Sequence, residues 1–167
     1  MKKFWFVPLI FALACGGNIS DEQRQKFKEG MEQQKIVRIT ETEIMNESLE
    51  KGQEIMRTLK EKRYTPGHAD SIATRHGVEI HFTVPGAGNA LAVEQELIDA
   101  YIAGLATGST QDNLQKIYNT TQRDSFDTLL YSAPAITILP DGSEQLDGIW
   151  NIYIPKKTIV LEISKTK

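Results

Sequence analysis

The fold is decided by residues 128–154, which read TLLYSAPAITILPDGSEQLDGIWNIYI. Two stretches rich in β-branched and aromatic residues, 128–139 and 144–154, lie on either side of a Pro-Asp-Gly-Ser turn at 140–143. Apolar runs of this length around such a turn are typical of a β-hairpin. Alternate residues of the second stretch lie on one face of a strand, and they are Trp150, Ile152 and Ile154. The stretch therefore predicts two long antiparallel strands with a shared apolar face.

A third strand is predicted upstream, where VEIHFTV at 78–84 alternates cleanly between apolar and other residues. Alternation with a period of two indicates a strand with one buried face. We expect that face to consist of Val78, Ile80, Phe82 and Val84.

Helices are predicted around these strands. Thr40 and Glu43 match a capping box, and the apolar stripe that follows has helical spacing as far as Leu59. A second helix is expected over 68–76 with Gly77 as its left-handed cap, and a third over 90–107 with Gly108 as its cap. We expect the third helix to bury Leu91, Leu97, Ile98, Tyr101, Ile102 and Leu105.

Two further segments complete the mature domain. Leu114, Ile117 and Tyr118 favour a short turn or helix, and residues 156–165 fit either a closing helix or an edge strand. Helices followed by a meander of strands predict an α+β fold in which an antiparallel sheet packs against the long first helix and further helices.

Ser48 and Gly52 are small residues within the apolar stripe of the first helix. Small residues allow a close approach, either by a neighbouring element or by a flat ligand. A ligand pocket, if present, is expected between this helix and the sheet. Its candidate lining, which is equally suited to an ordinary core, is Met45, Leu49, Gly52, Met56, Phe82, Tyr131 and Trp150.

The N-terminus reads MKKFWFVPLIFALAC, with two lysines before a short apolar run. The run is too short to cross a bilayer and has the layout of a cleavable signal. Because small residues precede Cys15, it resembles the lipobox of bacterial lipoproteins, in which the cysteine carries acyl chains, commonly palmitate. The expected organisation is a signal peptide at 1–14, a lipidated Cys15 with a polar tether to residue 38, and one domain at 39–167. The residue after Cys15 is not aspartate, which favours the outer membrane over the inner.

Composition excludes several classes of function. The formal net charge is −3 and no basic stripe is interleaved with aromatic residues, so we expect no nucleic-acid partner. Cys15 is the only cysteine. The chain therefore has no internal disulfide, no CxxC pair, no cysteine-rich zinc site and no CxxCH haem attachment.

No catalytic pattern is evident. His68 and His76 are eight residues apart, which leaves a two-histidine metal site open, but no HExxH motif is present. No serine lies in a GxSxG elbow, and the GxG at 86–88 lacks the residues of a phosphate loop. We expect a protein that is not an enzyme and that has no metal site.

Several phrases in order resemble a family of bacterial periplasmic domains with a PAS-like fold, long catalogued as a domain of unknown function. They are ITETEI at 39–44, RHGVEI at 75–80, AVEQE at 92–96, LLYSAP at 129–134 and GIWNI at 148–152. Members act as lone secreted proteins or as sensory inputs, and many bind c-type haem. Haem-bearing members carry CxxCH between the last two phrases, whereas residues 135–147 contain no cysteine. The resemblance implies the fold and a ligand-binding pocket. The missing CxxCH excludes covalent haem, and no cofactor is expected, with non-covalent haem binding left to be tested by a haemin titration.

Together these observations predict a membrane-anchored, periplasmic or surface-exposed, sensor-like domain that binds a small apolar ligand. The alternative is an envelope interaction or structural lipoprotein without a ligand. A partly polar cavity would favour the first, and a filled core with an exposed apolar patch the second.

Overall fold

The computed structural model of the protein describes residues 20–26, 38–61, 66–118 and 125–167. The chain forms two compact units, Met1–Ile36 and Val37–Lys167. In the first unit, the described residues 21–26 are helical. The predicted signal peptide, Cys15 and most of the predicted tether lie outside the described residues.

The second unit combines helices with one four-stranded sheet. In chain order its elements are α1 (Glu41–Glu61), α2 (Pro66–His76), β1 (Glu79–Thr83), α3 (Ala92–Thr107), β2 (Asn113–Tyr118), β3 (Phe126–Ile138), β4 (Glu144–Pro155) and α4 (Lys156–Thr166). The strand order is β1-β4-β3-β2, and every neighbouring pair is antiparallel. The predicted α+β class with an antiparallel sheet is confirmed.

The β3–β4 hairpin forms the two central strands of the sheet. Its turn is closed by the Leu139 N–H, which donates to the Ser143 carbonyl over 2.8 Å. Gly142 has φ +83°, a left-handed conformation that favours glycine at this turn. The ladder runs from Thr128 opposite Pro155 to Ile138 opposite Glu144, and at its turn end it extends well beyond the strands on either side.

The two faces of the sheet bury separate cores. α1, α2 and α4 cover the face of Tyr131 and Ile152, where Ile55 and Leu59 are fully buried. α3 packs on the opposite face, where Leu97 and its neighbours contact Leu130 and Ile149. Among the described residues, no helix is both long and apolar enough to cross a membrane.

The predicted helix ends are confirmed. The Thr40 N–H donates to the Glu43 carboxylate over 2.8 Å, and the Glu43 N–H donates back to the Thr40 hydroxyl over 3.3 Å. Gly77 and Gly108 have φ +62° and +69°, as left-handed caps require. The segment after Pro155 is the helix α4, which buries Ile159 and Ile163, so the helical alternative is the correct one.

Three local predictions are wrong. The segment 113–118 is a strand, not a turn or helix, because Leu114 pairs with Tyr131 in a ladder that local spacing does not reveal. Phe82 and Val84 are 40% and 42% exposed, since the helices do not extend over the end of β1.

The third wrong prediction concerns α3. Leu91 and Ile102, expected to be buried, are exposed because α3 contacts the sheet through a narrow stripe. Leu91 precedes the first turn as the N-cap, and Ile102 lies beside the stripe.

Candidate functional site

An open groove of about 680 Å³ lies where the helical layer ends and the hairpin continues. Its floor comes from β1, β3 and β4, and its sides come from the end of α1 and the start of α2. The described lining residues are Lys60, Ala69, Asp70, Ile80, Phe82, Pro134, Ala135, Ile136, Thr137, Asp147 and Trp150.

The groove exists because the elements differ in length. β1 pairs with β4 only between Tyr153 and Ile149, whereas the β3–β4 ladder continues to Ile138. A register shift between Ala135 and Ile136 interrupts this projecting part, and such bulges bend and twist a ladder. The hairpin therefore provides apolar floor that the helices leave uncovered.

The centre of the floor is an aromatic pair. The Phe82 and Trp150 rings lie 4.7 Å apart between centroids with an interplanar angle of 42°, within the range of favourable ring contacts. Trp150 is only 6% exposed, whereas Phe82 is 40% exposed. An exposed aromatic ring held in place by a buried one is a preformed apolar contact surface.

Gly148 allows this arrangement. A Cβ atom at Gly148 would lie 2.5 Å from Phe82 Cζ and 2.8 Å from the Thr83 carbonyl oxygen. The Phe82 ring therefore lies directly on the backbone of β4, and any larger residue at 148 would displace it.

The rim of the groove carries charges of both signs. Lys60 lies near the end of α1, Asp70 lies on α2, and Asp147 lies on β4. The Thr137 hydroxyl donates a hydrogen bond to Asp147 across the hairpin. The site is thus an apolar floor with polar groups at its edge, the usual composition of a small-molecule site.

The seven candidate ligand-binding residues do not share one pocket. Phe82 and Trp150 line the groove, while Met56 and Tyr131 line a second, smaller cavity of about 380 Å³. Met45 and Leu49 are partly buried against the core.

Gly52 takes part in helix–sheet packing. A Cβ atom there would overlap the Tyr131 ring, so that ring occupies the space that a flat ligand would need beside α1. The Tyr131 hydroxyl donates to Asp112, and burial together with this carboxylate raises the pKa of the phenol.

Sequence reasoning missed the contributions of Gly148, Asp147 and the bulge at Ala135. One signal was available for Gly148, since an interior glycine in a strand often marks a close approach by another group. The bulge and the uncovered hairpin depend on register and on helix length, which no local pattern encodes.

A buried polar network lies on the other face of the sheet, under α3. The Glu94 side chain is 2% exposed and accepts hydrogen bonds from the Leu91 N–H, Thr83 and Tyr153 over 3.0, 3.1 and 2.8 Å. His81 Nδ1 lies 3.3 Å from the same carboxylate. Burial raises the pKa of Glu94, but the hydrogen bonds outweigh it and leave that pKa below its usual value.

This network is a structural connection between α3, β1 and β4. It continues through Asn151, whose amide donates to the Thr83 hydroxyl over 3.0 Å and whose buried Oδ1 has no hydrogen-bond partner within the described part of the chain. A histidine–carboxylate pair is a component of many general bases. Here neither His81 nor Glu94 lines the groove, so the pair is not positioned against a ligand there.

The two-histidine metal site is not supported by the geometry. His68 and His76 lie on the same helix, so eight residues of rise separate them by about 12 Å, too far for one ion. Burial and the nearby Lys51 lower the pKa of His76. Within residues 20–26, 38–61, 66–118 and 125–167, no group of three or more His, Cys, Asp or Glu side chains is arranged to hold a metal.

Comparisons with protein-family models, with curated proteins and with solved structures give no match to this chain.

Proposed function

We propose that this protein binds a small apolar ligand in the groove and acts as a sensor-like, non-catalytic domain of the bacterial cell envelope. One observation carries the proposal: Phe82 remains 40% exposed in a concave site although Trp150 and the β4 backbone hold it in place. Exposing a large apolar ring costs free energy in the unliganded protein. A ligand that covers this ring recovers that free energy.

The proposed ligand is not haem. The described residues that line the groove include no histidine, methionine, cysteine or tyrosine, the side chains that commonly ligate haem iron. The absence of CxxCH from the sequence removes covalent attachment as well. The PAS-like identity stays part of the proposal, supported by the ordered phrases of sequence and by an antiparallel sheet that follows N-terminal helices.

Binding is tested with the uncharged fluorescent dye N-phenyl-1-naphthylamine and the full chain carrying Cys15→Ser. We expect saturable fluorescence enhancement with one dye per chain, and Phe82→Ala should weaken it severalfold. Leu161→Ala is the matched control, because Leu161 is an exposed apolar residue on α4, away from the groove. Equal dye binding by the Phe82 and Leu161 variants would contradict the proposal.

The alternative function is that of an envelope interaction protein without a small ligand. Ile138 favours it, being 71% exposed on the hairpin beyond the groove. This function becomes the better account if the groove takes up no dye, because the exposed apolar residues would then serve a protein partner.

We further propose that Cys15 carries the lipid that anchors the protein to the envelope, with the outer membrane as its destination. The support is the short positive and apolar leader that ends at this single cysteine. Two or more acyl chains suffice for stable anchoring. Cells fed radioactive palmitate should label the wild-type protein and leave Cys15→Ala unlabelled and released from the membrane fraction. Labelling of Cys15→Ala would contradict the proposal.

A further inference from the structure

We infer that the groove selects planar ring systems over flexible acyl chains, and that Gly148 is the residue that positions its recognition ring. This inference rests on the proposed function and specifies the ligand class of the same site.

The first step is the position of Phe82. The tip of its ring packs against the β4 backbone at Gly148, where a Cβ atom would come within 2.5 Å of Phe82 Cζ. Because Gly148 has no side chain, the ring fits at this place, and it remains 40% exposed where it lines the groove.

The second step is the rigidity of that surface. Trp150 is nearly buried and contacts the Phe82 ring at 4.7 Å. Phe82 and Trp150 are also register partners in the β1–β4 ladder, so the backbone places the two residues side by side. Packing of the Phe82 ring against Trp150 and Gly148 restricts its rotamers before a ligand binds, and this lowers the entropy cost of binding.

A planar ring and an acyl chain of equal apolar content differ in binding free energy. Both are stabilised by covering Phe82, but the planar ring is stabilised further by the directional contact between aromatic groups. An acyl chain instead loses rotational freedom on binding, as any flexible group does. The aromatic contact should therefore make a planar ring bind about twofold to tenfold more tightly than an acyl chain that cannot form it.

The rim indicates where polar substituents of such a ring would lie. Lys60 supplies a donor, and Asp70 and Asp147 supply acceptors at the edge of the apolar floor. A ring system that carries hydroxyl, amine or carbonyl groups at its perimeter matches this arrangement better than a bare hydrocarbon.

The test is competition for bound N-phenyl-1-naphthylamine on the full chain with Cys15→Ser. The two competitors are 2-naphthol and 1-heptanol, which are both uncharged at neutral pH, carry one hydroxyl and have a similar preference for an apolar phase over water, but differ in planarity. We expect 2-naphthol to displace the dye at a concentration severalfold lower, up to about tenfold. Phe82→Leu keeps an apolar side chain but removes the ring. In this variant the two competitors should displace the dye at similar concentrations.

Gly148→Ala should have the same effect as Phe82→Leu, because the added methyl group displaces the ring. If this variant does not fold, Phe82→Leu alone decides the question. Equal or better displacement by 1-heptanol on the chain with Phe82 and Gly148 intact would overturn the ring preference while leaving the groove as a binding site. Dye binding that Phe82→Ala does not weaken would instead overturn the proposed function itself.

Discussion

At the scale of single residues, two glycines leave room for aromatic rings to pack directly against the main chain. Gly52 accepts the Tyr131 ring against α1, and Gly148 accepts the Phe82 ring against β4. The first contact closes the space between helix and sheet, and the second leaves a ring available to solvent. The same chemical device therefore serves the core in one place and the candidate site in the other.

Gly52→Ala is predicted to destabilise the fold. Alanine gains about 1 kcal/mol of helix propensity, but a Cβ atom 2.4 Å from the fully buried Tyr131 ring forces the ring to shift, which costs about 1–3 kcal/mol. Gly67→Ala is the control, since among the described residues no atom beyond the local backbone lies within 4 Å of the Cβ that this helical glycine would gain. The urea concentration at the unfolding midpoint should be lower for Gly52→Ala than for the unsubstituted protein. For Gly67→Ala it should be equal or higher. Equal shifts in both variants would mean that Tyr131 does not pack there.

At the scale of elements, α3 depends on Glu94 for its attachment to the sheet. The helix buries only a narrow stripe, Glu94 with Leu97, Ile98 and Tyr101. The Tyr101 hydroxyl donates to the Ser132 carbonyl over 2.9 Å, so both ends of the stripe are held by hydrogen bonds. Polar contacts thus supply specificity where the apolar contact area is small.

The lowered pKa of Glu94 predicts that the free energy of unfolding decreases in acid. Its pKa is lower in the folded protein than the value near 4.3 expected when unfolded. The stabilisation is therefore complete above the unfolded pKa and is lost as the pH falls through the folded pKa. Glu94→Gln should lower the stability at pH 6 by about 1–3 kcal/mol and should reduce the loss between pH 6 and pH 3.

The control for this measurement is Glu96→Gln, an exposed position on the same helix. Glu43 also has a lowered pKa, of about 2, through Lys167 and Thr40, and it contributes to the same acid window in every variant. A pH dependence that is unchanged in Glu94→Gln would show that the buried carboxylate does not stabilise α3.

The sequence predicts correctly those features that depend on contacts between residues close together in the chain. The capping box at Thr40, the glycine caps and the turn at Gly142 involve neighbours within a few residues, and the structure confirms them. β2 was mistaken for a turn or helix because the spacing of Leu114, Ile117 and Tyr118 also fits a helix. Only its pairing with β3 makes it a strand.

The groove was beyond sequence reasoning for a related reason. The sequence predicts Phe82 and Trp150 as candidates, but it places them in one pocket with Gly52 and Met56 between α1 and the sheet. The actual site forms where α1 ends short of the hairpin. That outcome depends on the relative lengths and positions of elements distant in sequence.

At the scale of the whole domain, the two faces of the sheet have different roles. α3 closes one face through its narrow stripe and the Glu94 network. The other face carries the main core under α1, α2 and α4 and continues past them as the open floor of the groove. An extended hairpin presents an apolar site beyond the main core, so the site does not interrupt the packing of the core itself.

The most direct test of the account is an NMR titration of the ¹⁵N-labelled chain with 2-naphthol. The full chain contains two tryptophans, so Trp5→Phe leaves Trp150 as the single indole N–H signal. We predict saturable shifts of that signal and of the backbone amides of β1 and the hairpin around residues 135–137 and 147–150, with α3 unaffected. Shifts that do not saturate, or that concentrate on α3 and the Glu94 network, would contradict the claim that this groove is the binding site.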